Sequence, residues 1–173
     1  VKKDFDKAKI RFALCFPDLY ELGMSNLGIR IIYGLLNTLH DVVTERFFSC
    51  PPDMENILRS NHLEIFSLES RRKAKEFDFI GFSLGYELNY TNLLNILDLG
   101  AIPLKASSRD ASFPLVIGGG PCVMNPEPLY EFFDFFIIGE AEEVILEVID
   151  TYRKFKDKFK ASKISKTELL IIL

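Results

Sequence analysis

Apolar and polar positions follow two periodicities along the chain, and the change from one to the other marks the predicted elements. Residues 10–16 are mostly apolar, which indicates a strand buried on both faces, as in a parallel sheet. From Leu27 to Leu39 the apolar residues recur at helical spacing, with Ser25 or Asn26 available as N-cap. The chain therefore begins with a strand followed by a helix that ends near His40.

The same pairing of strand and helix recurs along the rest of the chain. Further strands are predicted at residues 42–48, 77–84, 114–117 and 135–138, and further helices at 54–58, 88–97, 129–133 and 140–158. The stretch 63–68 predicts an extra strand or an extended link, and the charged run 69–76 predicts a solvated surface. This alternation favours a doubly wound, flavodoxin-like (Rossmann-like) α/β sandwich of three layers, with a mainly parallel five-stranded sheet of order 2-1-3-4-5.

The end of the chain has a different pattern. Lys160, Lys163 and Lys166 indicate a polar link, and the apolar pattern that follows stops at Leu173 without a cap. We expect residues 1–158 to form the α/β domain and residues 159–173 to form a linker and the start of a further domain.

Composition and charge narrow the class of protein. With 173 residues and 48% hydrophobic content the chain can bury one core, and its net charge of -4 is not that of a general nucleic-acid binder. No apolar run approaches the ~20 residues of a membrane span, so we expect a cytoplasmic protein without a membrane partner. Cys15, Cys50 and Cys122 are too irregularly spaced for a disulfide framework or a CxxC metal clip, and we expect them to be packing thiols.

Candidate binding residues follow the predicted strands. In this topology the loops after the first, third and fourth strands meet at one crevice, where open α/β sheets bind ligands. Three consecutive glycines let a backbone approach a ligand closely, although a tight turn from strand to helix is an alternative. The polar residues of the other loops are either helix caps or ligand contacts. The candidates in these loops are Asp18, Tyr20, Gly23, Ser25, Asn26, Ser83, Gly85, Tyr86, Glu87, Gly118, Gly119, Gly120 and Pro121.

Together these segments resemble the cobalamin-binding-type domain that precedes the catalytic barrel in many radical S-adenosylmethionine (SAM) enzymes, and they are similar to an uncharacterised subgroup of those proteins. The resemblance covers roughly residues 10–150 and adds Glu140 to the candidate cofactor-binding residues. The segments that carry it are Asp18-x-Tyr20-x-x-Gly23, Gly81-Phe82-Ser83, Gly118-Gly119-Gly120-Pro121 and Gly139-Glu140-Ala141-Glu142-Glu143.

The resemblance implies a cofactor and shows one departure from the family pattern. Relatives that bind cobalamin through a DxHxxG loop use its histidine as the lower axial cobalt ligand, whereas this chain has Asp18 and Gly23 in register but Tyr20 in the histidine position. A phenol with a pKa near ~10 is a poor ligand at neutral pH. The resemblance therefore implies either cobalamin without a protein axial ligand or a domain that kept the fold and lost the cofactor.

The resemblance also implies a function. The chain would be an accessory domain that presents a cofactor or substrate to the radical SAM barrel of the same protein. The 4Fe-4S cluster and S-adenosylmethionine would belong to the part after Leu173, because the cysteines here form no CxxxCxxC motif. This fragment is not expected to be catalytic alone.

Two alternatives stay open. The first is a docking domain without cofactor, suggested by Tyr20 and by the basic segment 153–166, which a solvated linker also explains. The second is a stand-alone phosphate or flavin binder, which the lack of a Ser/Thr-rich loop after the first strand disfavours.

Overall fold

The computed structural model of the protein describes residues 3–173. Strands and α-helices alternate along the chain, joined by short 3₁₀ turns. The elements are β1 (Ile10–Phe16), α1 (Tyr20–Ser25), α2 (Leu27–Thr38), β2 (Val42–Phe48), α3 (Pro52–Ser60), β3 (Phe79–Ser83), α4 (Tyr90–Leu99), β4 (Leu115–Gly119), β5 (Phe135–Phe136), α5 (Ala141–Lys160) and α6 (Lys166–Ile172).

The five strands form one parallel sheet in the order β2-β1-β3-β4-β5. This confirms the predicted flavodoxin-like fold and its strand order. Side chains alternate between the two faces of the sheet, so that Phe12 and Leu14 pack with α2, α5 and α6. Ala13 and Cys15 pack on the other face with α3 and α4. The molecule therefore has the predicted three layers.

Some element boundaries differ from the prediction. Residues 20–25, predicted as loop, form α1, and β4 continues through Gly118 and Gly119 instead of ending at Ile117. The missing side chain of Gly118 makes room for the rings of Phe133 and Phe136, which pack where its Cβ would lie. The stretch 63–68 forms no strand of the sheet, and its pairing is a single bridge between Phe66 and Lys73. The helix predicted at 129–133 is a 3₁₀ turn at Tyr130–Phe132.

The outer edge of β2 is covered by side chains and by the loop that follows α3. The Asn37 amide donates to the Thr44 carbonyl and accepts from the Thr44 N–H, at 3.1 Å each. Glu69 accepts from the Arg46 N–H at 2.7 Å, and the Leu68 N–H donates to the Arg46 carbonyl. The start of the charged run 69–76 therefore closes a sheet edge that would otherwise be open to another strand.

Three buried aspartates at the amino edge of the sheet bind cations from α5 and α6. Asp41, Asp78 and Asp134 each lie one residue before a strand, and their side chains are at most 6% exposed. Arg153 binds both Asp41 oxygens at 2.7 and 2.9 Å, and Lys156 binds Asp78 at 2.8 Å. Lys166 of α6 pairs with Asp134. Three cations of the basic segment 153–166 thus form ion pairs with aspartates of the sheet edge.

The segment predicted as a linker packs on the α/β unit. Phe159 and Leu169 are almost fully buried in the same core as Tyr152, and Ser165 caps α6 with a capping box to Glu168. The division at residue 158, and a further domain beyond Leu173, remain predictions. Within residues 3–173, no helix combines the length and apolar character needed to cross a bilayer.

We expect Lys156→Met to lower the free energy of unfolding by roughly 2 kcal/mol, because Asp78 would stay buried without its cation. The cost should be below the ~3–5 kcal/mol of a fully buried pair, since Lys156 is partly exposed. Urea unfolding measures the change. The control is Lys154→Met, at an exposed position of the same helix, which should change stability by less than about 0.5 kcal/mol. Equal effects of the two changes would contradict the role of the ion pair.

A pH dependence is expected from Asp41. The hydrogen bonds from Arg153 hold the pKa of this carboxyl below its usual range. The pair therefore stabilises the fold above the unfolded pKa of about 4, and this contribution is lost as the pH falls through the lower, folded pKa. Urea unfolding from pH 7 to pH 3 should show a difference between the parent and Arg153→Met that is constant above about pH 5 and shrinks below about pH 4. A difference that does not change with pH would refute the assignment.

Candidate functional site

A cleft of about 210 Å³ lies at the carboxyl ends of β1, β3 and β4, between the amino-terminal parts of α2 and α5. One wall is formed by Ile29 and Ile32 of α2, and the opposite wall by Ala141 and Ile145 of α5. The cleft lies on the sheet face that carries Phe12. This is the edge at which open parallel sheets bind ligands.

Two glycines shape the floor of the cleft. A Cβ on Gly81 would lie 2.6 Å from the Phe12 Cζ, so the missing side chain makes room for the Phe12 ring. A Cβ on Gly119 would meet nothing within 4 Å. Since Gly119 pairs with Ser83 and both line the cleft, the open space at Gly119 belongs to the cleft.

Gly120 has a structural reason to be glycine. Its φ is +102°, and a Cβ there would lie 2.8 Å from the carbonyl oxygen of Leu84. The backbones are close because the Leu84 N–H donates to Gly119 and the Cys122 N–H donates to Leu84. The glycine run thus forms a tight turn at Gly120 and leaves an open position in the cleft at Gly119. The two interpretations of the three glycines, a tight turn and room for a close approach, therefore correspond to different residues.

The mouth of the cleft is acidic. Glu140 and Glu142 line it at the start of α5, and both side chains are exposed. They are the charged residues of the lining within the described part of the chain. Ser83 contributes a hydroxyl, and the remainder of the lining is apolar side chains and glycine.

Some of the candidate residues predicted from the sequence line the cleft. The structure brings together the candidates Ser83, Gly118, Gly119, Gly120 and Glu140. The lining also contains residues that were not among the candidates, including Phe12, Leu14, Gly28, Gly81, Gly139 and Glu142. The alternation of β1 could have found Phe12 and Leu14, because side chains two residues apart share a face.

The candidates from the loop after β1 lie outside the cleft. The Tyr20 ring packs edge-on against Phe48, with centroids 5.5 Å apart, in a separate groove at the end of β2. A Cβ on Gly23 would lie 2.3 Å from the Phe48 ring. The other members make local hydrogen bonds: Asp18 accepts from the Leu19 N–H, Ser25 donates to the Leu22 carbonyl, and Asn26 caps α2 at Ile29.

The remaining candidates after β3 and β4 also lie outside the cleft. Tyr86, Glu87, Gly85 and Pro121 are exposed at the same edge of the sheet but do not line the cleft. Nearby, the Asn92 amide donates to the Pro17 carbonyl at 3.0 Å and ties the loop after β1 to α4. That residue therefore has a structural role.

The cysteines behave as packing thiols. Burial raises the pKa of Cys15, Cys50 and Cys122 above the usual thiol value, which keeps them protonated and unreactive at neutral pH. Among residues 3–173, no group of three or more His, Cys, Asp or Glu side chains is placed to hold a metal ion.

Comparisons with known proteins identify relatives of the chain. The family described as radical SAM proteins, N-terminal, matches residues 28–172. An uncharacterized protein of Methanocaldococcus jannaschii is 30% identical over 169 residues, which cover 92% of this chain and 32% of that protein. The chain thus spans about a third of the length of the curated relative that it matches. The family match begins at Gly28, after the loop that carries Asp18 and Tyr20.

The adjacent glycines Gly119 and Gly120 should respond differently to alanine. We expect Gly120→Ala to lower the free energy of unfolding by about 2 kcal/mol or more, because it combines a positive φ with a backbone clash. Gly119→Ala should change stability by less than about 1 kcal/mol, since its Cβ enters open space. Urea unfolding of both variants measures the contrast. Similar losses for both would show that the glycine run has only a packing role.

Proposed function

The chain belongs to the family of N-terminal domains of radical SAM proteins, and we propose that it serves there as an accessory domain, which holds a planar ligand in the cleft and presents it to a catalytic domain of the same protein. The observation that carries the proposal is the open space at Gly119 between α2 and α5. A packed core would fill such a position, whereas a largely apolar cleft with few polar groups is typical of ligand sites.

The volume of the cleft limits the size of the ligand. About 210 Å³ is smaller than the ~300–1,000 Å³ of sites that enclose a drug-sized molecule. A space of this size can enclose one fused ring system but not a whole corrin. The base at the end of a cobalamin tail is a ring of this size, so within this proposal the cleft would hold the tail base and not the macrocycle.

The cobalt would have no protein ligand in this arrangement. Tyr20 takes the histidine position of the DxHxxG loop, and its ring is directed at Phe48 in another groove. Within this proposal, Gly119 and Ser83 hold the tail base, and a bound corrinoid would supply cobalt chemistry to the catalytic domain. The iron-sulfur cluster and S-adenosylmethionine are assigned to that catalytic domain.

A docking role without cofactor is the second candidate, and exposed apolar side chains at the carboxyl edge favour it. Leu88 and Met124 are each 72% exposed, Leu27 is 66% exposed and Ile138 is 61% exposed. Leu27 is the first residue of α2, and the other three lie in three different connections that follow β3, β4 and β5. Such a rim fits a protein surface that covers the edge.

Retention of hydroxocobalamin tests the corrinoid form of the proposal. The protein is mixed with hydroxocobalamin and desalted, and its visible spectrum is recorded. We expect a shifted band for the parent and a loss of at least roughly tenfold in affinity, about 1.4 kcal/mol, for Gly119→Val, whose side chain fills the cleft. Gly85→Val is the matched control, since that position is exposed, has equal space and lies outside the lining.

Two further arms separate the alternatives. Cobinamide lacks the nucleotide tail, so it should not be retained if the cleft holds the tail base. Tyr20→His should leave retention unchanged, because residue 20 lies outside the cleft. Absence of a retained band with the parent would reject the corrinoid form and leave the docking role as the better account.

A further inference from the structure

A second groove lies at the carboxyl end of β2 and shares no lining residue with the cleft. It has a volume of about 340 Å³ and lies between the start of α1, the connection from β2 to α3 and the segment 65–68. Several apolar side chains of its lining are partly in solvent. They are Leu19 at 40%, Tyr20 at 47%, Phe66 at 37% and Leu68 at 45% exposure.

The backbone of β2 is unpaired where the strand reaches this groove. Earlier in the strand, the outward N–H and C=O groups of Thr44 and Arg46 are bonded to the Asn37 amide and to residues 68–69. Backbone groups two residues apart on a strand point to the same side, so those of Phe48 also point away from β1. Within residues 3–173, neither the N–H nor the carbonyl of Phe48 has a hydrogen-bond partner on that side.

A side chain beside Phe48 is also without a partner. The Ser49 hydroxyl is buried in the lining of the groove, and no described residue forms a hydrogen bond with it. Three unpaired polar groups therefore lie at this end of β2, surrounded by apolar side chains. An apolar surface placed over them would bury groups that water now reaches or could reach, at a cost of roughly 1–3 kcal/mol for each one left unpaired.

An extended peptide can cover the groove without this cost. In an antiparallel ladder, one residue exchanges both backbone hydrogen bonds with the residue opposite, so a single residue of an added strand would satisfy both groups of Phe48. The side chains next to it would contact the exposed apolar residues, which include Tyr20 and Leu68. Backbone bonds at a free sheet edge combined with side-chain pockets are the features of recognition by strand addition.

The charges of the lining limit the sequence of such a peptide. Arg46 is the cation of the lining in the described part of the chain, and its Nε already binds Glu69 at 2.7 Å. Glu21 is exposed at the rim. An acidic peptide would therefore meet a carboxylate and no free cation, whereas an apolar peptide matches the lining.

We propose that an apolar, extended segment of the same protein, from outside residues 1–173, adds to the edge of β2 as a short antiparallel strand at Phe48. The proposal rests on the proposed function, since it takes the chain as one domain of a longer protein. The match to the archaeal relative covers 32% of that protein, so about two thirds of its length lies outside the matched region. The proposal names the place and the mode by which the domain contacts the rest of the protein.

Photo-crosslinking in the full-length protein tests the occupant of the groove. Phe66 is replaced by p-benzoylphenylalanine, which keeps the phenyl ring, and crosslinked peptides are identified by mass spectrometry. We expect a crosslink to one segment of the same molecule outside residues 1–173. The matched control places the same residue at Ile57, which is 59% exposed on α3 and lies outside the lining, and should give at least about tenfold less of this product.

Hydrogen exchange in the full-length protein tests the added strand. The Phe48 amide should exchange about tenfold or more slowly in the parent than in Leu68→Asp, because a carboxylate in the groove opposes the apolar segment. Leu63→Asp is the control, since Leu63 is exposed on the same connection but outside the lining, and it should keep the protection. Unchanged exchange at Thr44, which the Asn37 amide binds, would show that the rest of the edge is intact.

Each other outcome would overturn the proposal. Equal crosslinking from positions 66 and 57 would show that the groove is empty, and a crosslinked dimer or a crosslink to another protein would assign it to a different occupant. A crosslink without protection of Phe48 would show apolar contact without an added strand. Because the groove and the cleft share no residue, hydroxocobalamin retention by the same protein judges the proposed function separately.

Discussion

The pairing of buried carboxylates at the amino edge of the sheet is the interaction on which the rest of the structure depends. Asp41 and Asp78 are held by cations of α5, and Asp134 is held by Lys166 of α6 together with the buried Arg109, which lies outside these helices. A carboxylate removed from water is costly without a partner, so these pairs oppose any sliding of the helices along the sheet. Because α5 is one continuous helix of 20 residues, fixing its carboxyl half also fixes its amino end, which forms a wall of the cleft.

The two edges of the sheet therefore differ in how their charged and apolar side chains are placed. At the amino edge, charges are paired and buried, and their role is stability. At the carboxyl edge, Glu140 and Glu142 line the cleft, where residues 3–173 contribute no cation to the lining, and apolar side chains such as Leu88 and Met124 are exposed to solvent. The carboxylates complement the positive end of the α5 dipole, whereas the exposed apolar side chains do not stabilise the isolated chain. The apolar side chains are accounted for by a domain whose carboxyl edge faces a partner, as proposed for a radical SAM N-terminal domain.

Part of the cleft could be predicted from the sequence. The strand order placed the loops after β1, β3 and β4 at one edge, and Ser83, Gly119 and Glu140 do meet there. The loop after β1 behaves differently, because residues 20–25 form a helical turn whose Gly23 lies under the Phe48 ring. Nothing in the local pattern distinguishes that packing from a ligand loop in register with DxHxxG.

The sequence by itself determined the alternation of buried strands and amphipathic helices, and with it the parallel sheet and the edge at which ligands bind, because these features depend on local periodicity. Only the tertiary structure decided which glycine opens the cleft and which one serves a close backbone contact, since Gly119 faces open space while Gly120 lies against Leu84. It also decided that the basic segment 153–166 neutralises aspartates far away in sequence, as Arg153 does for Asp41. Such roles depend on contacts between distant residues, which periodicity does not encode.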